Sequence, residues 1–121
     1  MTVLIFDENL LWTSRLANGV RAAGHSPVTF LNATKEWPAA DVAIVNLGSA
    51  EFPAKELVPA LRADGIKVVA HAGHKETELL ELGKEVECDR LATNGELAKR
   101  LKHILAEFTE PKAEADVLPV G

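Results

Sequence analysis

Five short apolar runs recur along the chain with helix-patterned segments between them, and this alternation constrains the fold more than any other feature. The runs are residues 2–6 (TVLIF), 27–31 (PVTFL), 41–45 (DVAIV), 66–70 (IKVVA) and 88–92 (CDRLA). The first four are continuous and rich in Val, Ile, Leu or Phe, the pattern of strands buried on both faces. The fifth is the weakest strand signal of the set. Between the first two runs, Trp12, Leu16, Val20 and Ala23 recur at helical spacing, and Gly24 follows as a stop. Leu57, Val58 and Leu61 form the stripe of a second helix that starts near Pro53 or Ala54 and closes at Asp64 and Gly65, with Pro59 predicted to shorten or kink it. Residues 75–82 read as a short acidic helix carrying Glu76, Glu78 and Glu81. The last helix is the clearest, capped by Asn94 and striped by Leu97, Leu101, Ile104, Leu105 and Phe108.

Strands alternating with helices at this spacing predict an α/β fold, a parallel sheet with helices on both faces joined by right-handed crossovers. A length of 121 residues, 47% of them hydrophobic, suits one domain. We assign it to residues 1–109, followed by a flexible tail over 110–121 (EPKAEADVLPVG), where charge, alanine and proline replace periodicity. Docking of the tail through Val117, Leu118 and Val120 is the alternative.

A net charge of -5 and the lack of a basic run argue against a nucleic-acid surface. One cysteine, Cys88, excludes an internal disulfide, and no segment approaches the roughly 18 apolar residues of a membrane span. A cytoplasmic location is the expectation, since no leader pattern opens the chain.

In sheets of this kind ligands gather at the carboxyl ends of the strands. The residues there are Asp7 and Glu8, then Asn46, His71 and Thr93. The segments Val3-Leu4-Ile5-Phe6-Asp7-Glu8-Asn9, Val42-Ala43-Ile44-Val45-Asn46-Leu47, His71-Ala72 and Asp89-Arg90-Leu91-Ala92-Thr93 together resemble the receiver domain of bacterial response regulators. The resemblance spans about residues 2–108. It implies a three-layer α/β/α, flavodoxin-like fold with a five-stranded parallel sheet in the order 2-1-3-4-5. It also implies a role in signal transduction or a phosphorelay.

The catalytic letters depart from that family. A receiver has an acidic pair after its first strand, a phosphoryl-accepting aspartate ending the third, a Ser or Thr ending the fourth and a lysine ending the fifth, with an aromatic on that fifth strand. Here Asp7 and Glu8 keep the pair, while Asn46, His71, Thr93 and Arg90 stand at the other positions. An amide has no anionic oxygen to attack phosphorus and is a poorer ligand than a carboxylate for a hard cation. The resemblance therefore implies a stand-alone, degenerate receiver that is not phosphorylated, is not an enzyme, needs no cofactor and acts through protein contacts. Its expected partner is another protein or a second copy, through the acidic helix after the fourth strand, the fifth strand and the last helix, where Lys99, Arg100, Lys102 and His103 lie.

Two features leave room for another class. Asp7, Glu8, His71 and His74 are the candidate ligands should a divalent cation bind, and a small-molecule or metal-binding domain, enzymatic or not, would use Asp7, Asn46, His71 and His74. No glycine-rich phosphate loop of either common type is present. The connection over residues 32–40 (NATKEWPAA) is too short for more than about one helical turn before Pro38, so a truncated second helix of the family pattern is expected, with Trp37 plugging the gap, the alternative being that the gap forms a partner or dimer surface.

Overall fold

The computed structural model describes residues 1–109, so the expected tail over 110–121 lies outside the described residues. Nine elements follow in the order β1 (Thr2–Phe6), α1 (Leu10–Ala22), β2 (Ser26–Phe30), β3 (Val42–Asn46), α2 (Ala54–Ala63), β4 (Lys67–Ala72), α3 (Thr77–Glu85), β5 (Arg90–Thr93) and α4 (Asn94–Thr109). All strand pairs are parallel and the order is β2-β1-β3-β4-β5. The predicted fold class and strand order are those observed.

Side-chain alternation divides the core. Val3, Ile5, Val42, Ile44 and Val69 face α1 and α4, whereas Leu4, Phe6, Ala43, Val45 and Val68 face α2 and α3. The central strands β1, β3 and β4 are buried on both faces, so their runs read as continuously apolar; β2 and β5 are edges and read as mixed. Each fully buried aliphatic side chain contributes about 1.5–3 kcal/mol. Gly19 lets α1 approach α4, since a Cβ there would lie 2.7 Å from Leu101 Cδ2. Helix α1 starts where Asn9 Oδ1 accepts the Trp12 N–H at 3.0 Å and ends before Gly24, whose φ of 90° disfavours any other residue. Helix α2 runs through Pro59 without ending, and α4 bends at Arg100.

Three expectations need correction. The connection between β2 and β3 contains no helix at all, not a truncated one. Its face of the sheet is covered instead by an aromatic cluster, because the loop carries Pro38 and cannot complete a hydrogen-bonded turn. Phe6 stacks on Phe30 at 4.8 Å between centroids and meets Trp37 and Phe52 edge-on at 5.8 and 5.4 Å. Trp37 is thus the expected plug, half-buried, with its indole N–H donating to Asp64 Oδ2 at 3.0 Å. Second, β4 extends through His71 to Ala72, so His71 is a strand residue and not a loop residue. Third, Asn94 does not cap α4. The Glu96 N–H donates to Thr93 Oγ1 at 3.1 Å, which makes Thr93 the cap.

Candidate functional site

The carboxyl ends of β1 and β3 meet in a closed hydrogen-bonded cluster. Asp7 directly follows β1 and is 2% exposed. Its Oδ1 accepts the Asn9 N–H at 3.0 Å and its Oδ2 accepts the Asn46 side-chain amide at 3.0 Å. Asn46 ends β3, and its Oδ1 accepts the Gly48 N–H at 2.9 Å. The backbone N–H can only donate, so the amide oxygen faces Gly48 and the NH2 faces the carboxylate. The amide group thereby sits against Asp7 as a neutral donor.

Glu8 points the other way, toward the loop after β3. Ser49 Oγ donates to its Oε1 and the Ala50 N–H donates to its Oε2 at 3.2 Å. The Ser49 hydrogen bond is the main reason the Glu8 carboxyl titrates below its ordinary range; backbone donors help and desolvation opposes. Ser49 Oγ in turn accepts the Phe52 N–H at 3.0 Å. Sequence reasoning missed this role for Ser49, and a Gly-Ser pair after a strand is too common a signal to have found it.

The β4–β5 half is built differently. His71 pairs with Asn46 in the β3–β4 register and is 1% exposed. Its Nδ1 lies 2.7 Å from Asn94 Oδ1, which assigns the proton to Nδ1 and leaves Nε2 an acceptor. Among the described residues Nε2 has no partner, and neither has the buried indole N–H of Trp12, whose ring lies 6.0 Å from the imidazole. Burial drives the His71 pKa down, against the hydrogen bond it donates to Asn94 and the charges of Asp7 and Glu76. Trp12 is a second residue that sequence reasoning assigned only to the core.

Arg90 opens β5 and is held on α4, with Nε donating to Glu107 Oε1 at 3.1 Å and Nη2 to Glu96 Oε2 at 3.0 Å. Burial opposes its charge, but both glutamates outweigh that and raise its pKa. Thr93 spends its hydroxyl on the α4 cap. His74 is exposed in the turn after β4, away from the buried His71. The structure therefore brings Asp7 and Asn46 into contact and sets His71 beside them. It takes Arg90 and Thr93 into the α4 anchorage and leaves His74 outside.

A magnesium ion of the kind receivers hold does not fit this donor set. Both Asp7 oxygens and both Glu8 oxygens accept protein N–H or O–H groups, and Asn46 turns its NH2 to Asp7 and its oxygen to the Gly48 N–H. Among the described residues no group of three or more His, Cys, Asp or Glu is placed to hold a metal ion. Nor do the main grooves join Asp7, Asn46, His71 and His74; the larger of them opens beside Trp37. Among the described residues no helix is long and apolar enough to cross a membrane.

No protein-family model and no curated protein matches the sequence. Solved structures do match in shape. A response regulator receiver domain protein from Clostridium thermocellum superposes with a TM-score of 0.76 at 12% identity, over 94% of this chain and 98% of that one. The Vibrio cholerae chemotaxis protein CheY4 gives 0.72 at 18% identity, over 88% and 97%. The receiver domain of the Francisella response regulator 1452 gives 0.68 at 18% identity, over 90% and 98%. At such identities the likeness is one of fold, and the chain has the receiver-domain, CheY-like fold.

Proposed function

We propose that this chain is a degenerate receiver that accepts no phosphoryl group and acts in signalling through protein contacts in the cytoplasm. The carrying observation is the Asn46 amide donating to Asp7 at the point where a receiver places its nucleophile. The amide is a poor nucleophile, and its NH2 satisfies the one buried carboxylate that would otherwise call for a cation. The residues that would sense a phosphoryl group are committed elsewhere, His71 to Asn94, Arg90 to two glutamates and Thr93 to a helix cap.

Contact with partners falls to the β5 edge. There α3 presents exposed Glu78 and Glu81, and α4 presents exposed Lys99, Arg100 and Lys102. Charges of opposite sign on either side of one edge steer an incoming protein and set its orientation. The test is incubation with magnesium and either acetyl phosphate or beryllofluoride, read by intact mass and amide chemical shifts. No mass gain and no shift at Asp7, Asn46 or His71 is the expected result. A saturable response there would overturn the reading.

A further inference from the structure

We propose that the β2 edge is a self-association surface at which two copies of the chain reciprocally insert Leu10 and Leu11 into the groove beside Trp37. Leu10 and Leu11 are 62% and 85% exposed, the exposed large hydrophobic side chains of the described residues. They occupy the first turn of a capped helix, so they are held rigidly and lose little entropy on docking. Adjacent exposed leucines on a rigid element mark a contact surface more than isolated ones do.

The receptor for them is on the same edge. Because no helix lies between β2 and β3 to cover β2 on the α2 side, a groove of about 530 Å³ opens there, floored by Trp37, Phe52, Pro53 and Leu57. That volume lies in the range of specific ligand pockets, and its lining is mostly apolar. Leu10 sits on the opposite face of the sheet, in a shallow depression shared with Thr29 and Leu31 at the end of β2. Both features therefore flank β2, the first turn of α1 and the start of α2 both lying at the carboxyl end of the sheet.

A twofold axis parallel to β2 turns one face of the sheet into the other while keeping the carboxyl ends together. It sets each α1 tip over the partner's groove, fills both grooves at once and closes at two copies. Charge agrees with this pairing. Helix α1 carries Arg15 and Arg21 and no acid, while the groove rim carries Glu51 and Glu56 against one Lys35. Pro27 removes one N–H from β2, so the copies meet through side chains and not by extending the sheet. The contact lies across the sheet from the β5 edge and is independent of whether Asn46 accepts phosphate.

The test is sedimentation equilibrium of the full chain from about 10 μM to about 1 mM, the range expected for a small interface. The expected result is a monomer–dimer equilibrium that Leu10→Ser/Leu11→Ser weakens at least about tenfold, as does Ala60→Arg, which places a charge in the groove. Lys67→Glu, exposed at the amino end of β4 and outside both surfaces, should leave it unchanged. Circular dichroism and thermal melting of each variant confirm that it is folded. A chain that stays monomeric throughout, or a dimer that survives either β2-edge variant, would overturn the proposal.

Discussion

The two halves of the carboxyl edge hold their polar residues in opposite ways. At β1 and β3 the side chains of Asp7, Asn46 and Glu8 are each engaged by the backbone, an amide or a hydroxyl. At β4 and α1, two buried nitrogens, His71 Nε2 and Trp12 Nε1, have no partner among the described residues. A buried polar atom left unpaired costs about 1–3 kcal/mol, so the first half is a settled network and the second is held by the packing around it. An amide set beside a carboxylate completes a network. A buried imidazole brings surface that must be packed.

The contrast predicts unequal responses to mutation. His71→Ala should have the largest effect, lowering stability by about 2–4 kcal/mol in urea unfolding, because it opens a cavity between α1 and α4 and deletes the bond to Asn94. The same residue gives the wild type a pH signature. Its folded pKa is below the ordinary value of 6.5, so the unfolded chain binds the proton first. The His71 contribution is complete above pH 6.5 and is lost as the pH falls through the folded value. His71→Ala should flatten that slope; an unchanged slope would show that the imidazole is not held neutral. Glu8, also depressed, acts lower, below its ordinary 4.5.

Asn46→Asp sharpens the comparison from the other half. It sets a second carboxylate about a hydrogen bond's length from buried Asp7, and the repulsion should cost about 1–3 kcal/mol at neutral pH. Added magnesium should restore part of this by replacing the lost NH2 with a cation, visible as a rise in melting temperature absent from the wild type. No magnesium response in the variant would show that Asp7 and Glu8 are too committed to their present partners to coordinate an ion.

Thr93→Ala should have the smallest effect, about 1 kcal/mol, through loss of the α4 cap. Asn94→Ala should act instead on the His71 slope, since its side chain is turned to the imidazole. If Asn94→Ala frayed α4 as much as Thr93→Ala, the assignment of the two roles would be wrong.

Legibility followed the range of the interactions involved. Strand runs and helix stripes were readable because their periods are local, and the core face of α4 matched its spacing, with Leu97, Leu101, Ile104 and Leu105 all buried. The burial of His71 was partly readable: it continues the alternation of Val69 toward the α1/α4 face, and apolar Ala72 follows it. The swap between Thr93 and Asn94 was not, because both are good caps and the choice depends on an imidazole twenty-three positions away in sequence. The absence of the helix between β2 and β3 was only half visible. Pro38 limited it, but Phe6, Phe30 and Phe52 had to come together with Trp37 before a bare loop could cover the sheet.

By itself the sequence determined the alternation of strands and helices that gives a parallel α/β sheet, and the amide of Asn46 at the end of the third strand, since hydrophobic period and residue chemistry are carried within each segment. Tertiary structure alone decided which donor meets which acceptor: Asn46 with Asp7, Ser49 with Glu8, Asn94 with His71. Hydrogen bonds act over about 3 Å, and only the folded chain brings partners from distant segments within that reach.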